Sequence, residues 1–332
     1  MMEEHRRKQC DLFVDNYRLI KSSFKWDNGM NIRLGALLYA MEERVADTKA
    51  IKKCKSVIKE ISSTFSAFKD TTYFMTASML SLQQEPEEKF EKAVHIYQEM
   101  KKEGFHTSPY LTLAALSVAL QVEEYDYHRV IGSAKSFYKA MKAEHKFITS
   151  SDDYGFATLL AISDRPVEQT VREMEVCYRL LKESFSYSNA VQSLTHVLAL
   201  GEEDAALKCT RVEELYEALK KRKCKFGKGL ELPFLGVVAL LSEDTEKLCD
   251  EIVETNEYLK SKKGFGTWSI ANQQRVMYAA ALVCNDYVEN AKNNTIKLPL
   301  ANSITGIIIA QQLAMITASS AAASAAAVSA SC

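Results

Sequence analysis

Ala93-Val94-His95-Ile96-Tyr97-Gln98-Glu99-Met100-Lys101-Lys102-Glu103-Gly104-Phe105 is the stretch that decides the fold. It sets an apolar residue, a Tyr four positions later, an aliphatic residue three after that, then Lys, and a Phe soon after. Spacings of four and three put the apolar positions on one face of a helix. The pattern occurs seven times, with its Tyr slot at Tyr17, Ile58, Tyr97, Tyr138, Tyr178, Tyr216 and Asn256, at intervals of 41, 39, 41, 40, 38 and 40 residues. Four residues before the slot stand Phe13, Cys54, Ala93, Ala134, Met174, Val212 and Ile252; three after it stand Ile20, Ile61, Met100, Met141, Leu181, Leu219 and Leu259. All are apolar. The closing aromatic is Phe24, Phe65, Phe105, Phe147, Phe185, Phe226 or Phe265, where each helix ends.

After each patterned helix, termed B, comes a nearly uncharged stretch, termed A. These cover roughly residues 30–42, 72–83, 110–121, 154–163, 190–200, 232–242 and 270–284. A helix apolar on most sides must be covered on most sides. B helices instead carry the charges, with Glu-rich starts such as Pro86-Glu87-Glu88 and Lys-rich ends such as Lys220-Lys221-Arg222, which complements the helix dipole. The 12 Gly and 5 Pro amount to about 5% of 332 residues, against about 12% in average usage, which starves the chain of the turns that sheet folds consume. The expectation is an all-α fold, an α-solenoid of six to seven two-helix hairpins with a period near 40 residues. A closed α/α toroid is the variant. A ring requires its first and last hairpins to touch.

The run from Leu12-Phe13-Val14-Asp15-Asn16-Tyr17-Arg18-Leu19-Ile20-Lys21 through Phe24-Lys25-Trp26 and Leu34-Gly35-Ala36-Leu37-Leu38-Tyr39-Ala40, with Asn302-Ser303 and Ala310-Gln311-Gln312 near the other end, resembles an uncharacterised bacterial family, mainly of Firmicutes, catalogued as domain-of-unknown-function family 4003. The resemblance spans nearly the whole chain and rests on overall pattern rather than a catalytic motif. It implies a bacterial cytoplasmic protein and carries no activity or site residue with it.

The repeat predicts one domain over residues 1–298. Residues 299–332 form an uncharged, Ala/Ser-rich tail, expected to be helical or partly disordered. Its Gln311-Gln312 pair and small polar remainder make a poor membrane span. The charged start, Met1-Met2-Glu3-Glu4-His5-Arg6-Arg7-Lys8, lacks a secretory pattern, and the eight scattered Cys read as reduced core thiols of a cytoplasmic protein.

With 42 Lys and Arg against 43 Asp and Glu, the net charge of −1 argues against a nucleic-acid binder. The basic run Lys220-Lys221-Arg222-Lys223-Cys224-Lys225 lacks interleaved stacking aromatics and reads as a solvated helix end. No His pair has metal-ligand spacing, and no nucleophile elbow or phosphate loop is present, so neither metal nor cofactor is expected. Acidic residues precede several A helices at Asp27, Asp70, Asp152, Asp153 and Glu231. In a toroid they would ring one mouth, where hydrolases place carboxylates; as N-caps they would only start helices. The leading expectation is a non-catalytic scaffold that binds a protein or peptide on its A-helix surface. Arg33, His196, Gln273 and Arg275 are the candidate binding residues, and the chain's own tail is a candidate occupant, through Ile304, Ile307, Ile308, Leu313 and Ile316. The alternative is a toroidal enzyme using the carboxylates.

Overall fold

The computed structural model describes residues 2–62, 66–69, 72–229, 231–241 and 244–292. Among them are fourteen α-helices and no strand. The B helices are α1 (Glu4–Ser23), α3 (Thr48–Ile61), α5 (Pro86–Lys102), α7 (Tyr127–Glu144), α9 (Val167–Leu181), α11 (Ala205–Lys221) and α13 (Thr245–Lys260). The A helices alternate with them as α2 (Gly29–Met41), α4 (Tyr73–Ser81), α6 (Pro109–Gln121), α8 (Tyr154–Ile162), α10 (Ser188–Leu198), α12 (Leu232–Ala239) and α14 (Asn272–Lys292). Boundaries follow local chemistry. Asn28, Asp47, Ser108, Asp204 and Asp244 each accept a hydrogen bond from a backbone amide two or three residues on. Pro86 and Pro109 open α5 and α6 where their missing amides cost nothing.

The A helices are buried around their circumference between their first and last turns, as far as their side chains are described; every residue of α2 from Asn31 to Met41, every residue of α12, and residues 275–288 of α14 are buried. The B helices bury one stripe and present most of their charges to water, with Arg6 of α1 and Lys208 and Arg211 of α11 buried. The chain divides into two compact units.

One unit spans Asp15–Val167. Within it each B helix packs on the A helix that follows (α3 on α4, α5 on α6, α7 on α8), while A helices lie side by side as α2, α4, α6 and α8. Gly35 allows the first of these approaches, since a Cβ there would come within 3.0 Å of the Phe74 ring and 3.1 Å of Ser78 Oγ. In this unit one closing Phe, Phe105, seats against the Tyr slot of the next B helix, while the preceding slot is filled by Phe68, which is not one of the closing aromatics. In copy 3 the slot residue Tyr97 takes the ring of Phe68 at 5.2 Å, and Phe105 meets Tyr138 at 6.2 Å and Tyr154 at 4.9 Å. Phe65, the expected aromatic of copy 2, lies outside the described residues.

The other unit joins Met1–Val14 to the chain from Glu168 onward. Here α10, α12 and α14 are neighbours, and Gly236 of α12 leaves 2.7 Å between a would-be Cβ and Leu194 Cδ1. Phe185 seats on Tyr216 at 5.2 Å. The first turns of α1 pack on the last hairpin: Phe13 meets Phe265 at 4.8 Å and Tyr278 at 5.6 Å. Arg6 Nε donates to Asp286 Oδ2 at 2.5 Å, and its guanidinium lies 3.3 Å from Glu251. Burial would lower the Arg6 pKa, but the two carboxylates outweigh it and hold the group more strongly basic than usual. Lys262 and the Tyr258 hydroxyl both donate to Asp11, at 2.7 and 2.9 Å.

Candidate functional site

The turns that lead from B into A helices carry the acidic residues singled out in the sequence and, among the described residues, four of the five strongly exposed aromatic side chains; the fifth, Tyr125, stands in the connection from α6 to α7. In the Asp15–Val167 unit, the turn after α1 buries Phe24, while Trp26 is 99% exposed. Asp27 in that turn is held by Lys55 Nζ, 3.3 and 3.2 Å from its two oxygens. The same ammonium lies over the rings of Tyr73, Phe24 and Phe74 at 4.7, 5.5 and 5.7 Å. Asn28, not Asp27, caps α2. Asp70 falls outside the described residues.

In the turn after α7 the chain departs from the pattern, because Phe147 is 96% exposed. Thr149 is buried instead, and its Oγ1 donates to the Met141 carbonyl at 3.2 Å. Asp152 and Asp153 follow as neighbours. Asp152 accepts from Ser150 Oγ at 2.5 Å and Asp153 from the Ser150 amide at 2.9 Å. Asp153 is completely buried, and this burial, together with the Asp152 charge beside it, drives its pKa well above the usual carboxyl value. Burial likewise raises Tyr110, and raises Tyr138 to about 12 with Tyr154 contributing. A neutral acid in this position could donate a proton, but nothing outside the protein reaches it.

In the other unit Glu231 begins α12 without making a side-chain cap, its carboxyl lying against Gly227. Tyr187 is 64% exposed in the turn after α9, and Trp268 is fully exposed in the turn after α13. Both tryptophans of the chain therefore stand in water on B-to-A turns.

The candidate binding residues sit on A helices as expected and are mostly engaged internally. Arg33 is buried, donates to Tyr17 Oη at 3.4 Å and to the Gly29 carbonyl at 3.1 Å, and lies over the Tyr17 ring at 4.7 Å. Arg275 is buried and donates to Asn256 Oδ1, the Phe265 carbonyl and Asn272 Oδ1 at 3.1, 3.3 and 2.6 Å. Burial lowers its pKa from the usual guanidinium value. Asn256, where the Tyr slot loses its aromatic, is thus matched by a charged partner from the following A helix. His196 is buried in α10, and Gln273 is exposed on the first turn of α14. Among the described residues no three His, Cys, Asp or Glu side chains are grouped to hold a metal ion, and no helix is long and apolar enough to cross a membrane.

Sequence reasoning missed the exposed aromatics. Trp26 and Tyr187 follow a buried closing Phe by two residues and Trp268 by three, a regularity visible in the sequence only once the Phe is known to face inward.

A family described as "Protein of unknown function (DUF4003)" matches over residues 16–313. The chain is 25% identical over 321 residues, 95% of its length and 94% of the relative's, to an uncharacterised protein of Bacillus subtilis (strain 168), YeaA. No solved structure matches.

Proposed function

The chain belongs to the DUF4003 family, whose description assigns no activity, and we propose that it is a non-catalytic helical scaffold that binds a protein or peptide segment through its B-to-A turns. The observation that carries this reading is the placement of both tryptophans. A side chain with so much apolar area is rarely left wholly in water, and Trp is enriched among residues that anchor interfaces. Here the Phe two or three residues earlier is buried in each case, so the turn turns one aromatic inward and offers the other outward. Seven buried free thiols among the described residues suit a reducing compartment such as the cytoplasm.

The enzymatic alternative draws less support. Asp27 is bonded by Lys55, Asp153 is sealed from solvent, and Glu231 rests on its own turn. The reading in which the tail, residues 299–332, occupies the A-helix surface keeps one argument: helices with no polar face are buried on every side, and the uncharged tail is chemically suited to such a surface. Those residues lie outside the described ones.

Affinity capture with the tagged full chain from its own cells tests the main reading. A protein retained by the wild type and released by Trp26→Ala or Trp268→Ala supports it. Undiminished retention by both variants, with unchanged melting curves, refutes it.

A further inference from the structure

The unit that carries Trp268 also holds the densest basic run of the chain, and its lysines divide into two groups. Lys220 is bonded to Glu217, Lys260 to Glu257, Lys262 to Asp11, and Arg222 to Asp250 and Glu246. Lys228 caps the Ser184 carbonyl at 2.9 Å over the rings of Phe185 and Tyr216. Lys221, Lys223, Lys225 and Lys263 are exposed, and no carboxylate among the described residues pairs with them. Their two turns are tied together. They follow helices that pack on each other, α11 on α13, with Cys249 Sγ 3.9 Å from the Leu215 carbonyl and Arg222 reaching Glu246 and Asp250, and Arg275 donates to the Phe265 carbonyl, three residues before Trp268.

Backbone geometry adds a second observation. Lys223 holds a φ of +60° at the end of α11, where its amide bonds the Lys220 carbonyl and the next amide bonds that of Leu219. Gly104 holds the equivalent place after α5 with a φ of +84°. Glycine takes this left-handed position without strain and lysine does not. The dipole of α11 is already answered by Lys220 and Lys221 within its last turn. Glu43 after α2 and Asp164 after α8 hold the same position at φ +52° and +55°, so it accepts either charge; at Lys223 it leaves an exposed ammonium beyond the turn that the dipole needs.

We propose that Lys221, Lys223, Lys225 and Lys263, with the exposed indole of Trp268, form a docking surface for an acidic peptide segment that carries an apolar side chain. This deepens the binding role argued above and rests on it. Four exposed ammonium groups outside any salt bridge among the described residues attract carboxylates and steer their approach, although Lys221 shares the field of Glu217 one turn earlier. The indole supplies the apolar contact that fixes register. A nucleic acid would need successive stacking aromatics along the groove, and here a single one accompanies the lysines.

Trp26→Phe leaves Trp268 as the sole indole, so its fluorescence reports this surface in the full chain. The probe is a synthetic Glu-rich peptide with one Leu and no aromatic residue; a Lys-rich counterpart and an oligodeoxythymidylate are the other arms. The acidic peptide should shift the emission to the blue, saturably, with affinity falling roughly tenfold as salt rises from about 0.05 to about 0.3 M. The combined variant Lys221→Glu, Lys225→Glu, Lys263→Glu should bind it at least about tenfold more weakly with the same melting curve. No shift, an equal shift in that variant, or preference for the oligonucleotide overturns the proposal. So does a blue shift that grows with protein concentration alone, since the occupant is then a second copy. A cellular partner lost on Trp268→Ala yet kept by the triple variant would overturn the acidic ligand while leaving the scaffold reading intact.

Discussion

Single residues separate what the repeat pattern demands from what it tolerates. Phe185 is buried against Tyr216, whereas Phe147, in the corresponding place of another copy, stands in solvent. Phe185→Ala is therefore expected to cost about 3–5 kcal/mol in denaturant unfolding, and Phe147→Ala no more than about 0.5 kcal/mol. Equal costs would show that the closing Phe is not the wedge described here. Asp153 provides a test in pH. Its folded pKa lies above the value near 3.9 of an unfolded chain. Between the two, the native state keeps a proton that the unfolded state has released, so this group's contribution is fully present below the unfolded pKa and is lost as pH rises through the folded one. Asn at this position still accepts from the Ser150 amide and carries no charge. Asp153→Asn should then gain melting temperature over the wild type as pH rises above about 4, and parallel curves would rule out a buried, protonated Asp153.

At the scale of elements, the C-terminal carbonyls of A helices are met by cations from elsewhere in the same unit. Arg44 donates to Leu82 at 2.8 Å, Arg211 to Ala239 at 2.8 Å, and Lys208 to Leu198 and Gly201 at 2.9 and 2.8 Å. This answers the unpaired carbonyls that every helix end leaves, with charge of the sign the dipole favours. Lys208 is fully buried and also bonds Glu173. Lys208→Met strands those acceptors. The expected loss is about 2–3 kcal/mol, somewhat under the 3–5 kcal/mol of a sealed pair, because Glu173 retains 18% exposure and regains water. A chemical-denaturation midpoint equal to the wild type's would refute the capping role. The helices themselves were legible in the sequence: the expected A stretch 110–121 is met by Pro109–Gln121, and 154–163 by Tyr154–Ile162. The role of the acidic residues ahead of them was not. Asn28 caps α2 beside an Asp27 that turns to Lys55 instead, a choice made by a lysine from the next B helix.

For the whole molecule, the fate of the first helix is the informative quantity. Residues up to Val14 belong with the chain from Glu168 onward, through Phe13 on Phe265 and Tyr278 and through Arg6 on Asp286. An array whose first helix touched only its own neighbours in sequence could lose residues 2–14 without harm to its last hairpin. Here the deletion should destabilise that hairpin by at least the roughly 3–5 kcal/mol of one large aromatic and leave Asp286 buried beside no guanidinium. Hydrogen exchange of α13 and α14 amides would register it as faster opening, and unchanged protection would contradict the packing described. Period, helix class, the order of A and B elements and the burial of A helices were determined by sequence alone, because each follows from spacing and charge within about 20 residues. Only tertiary structure decided that Phe147 faces water, that Arg33 and Arg275 serve the Tyr slots of their own hairpins, that Asp153 is sealed, and that Phe13 meets Phe265. Each of these depends on which surface arrives from a distant part of the chain, and the local pattern is the same whether that surface arrives or not.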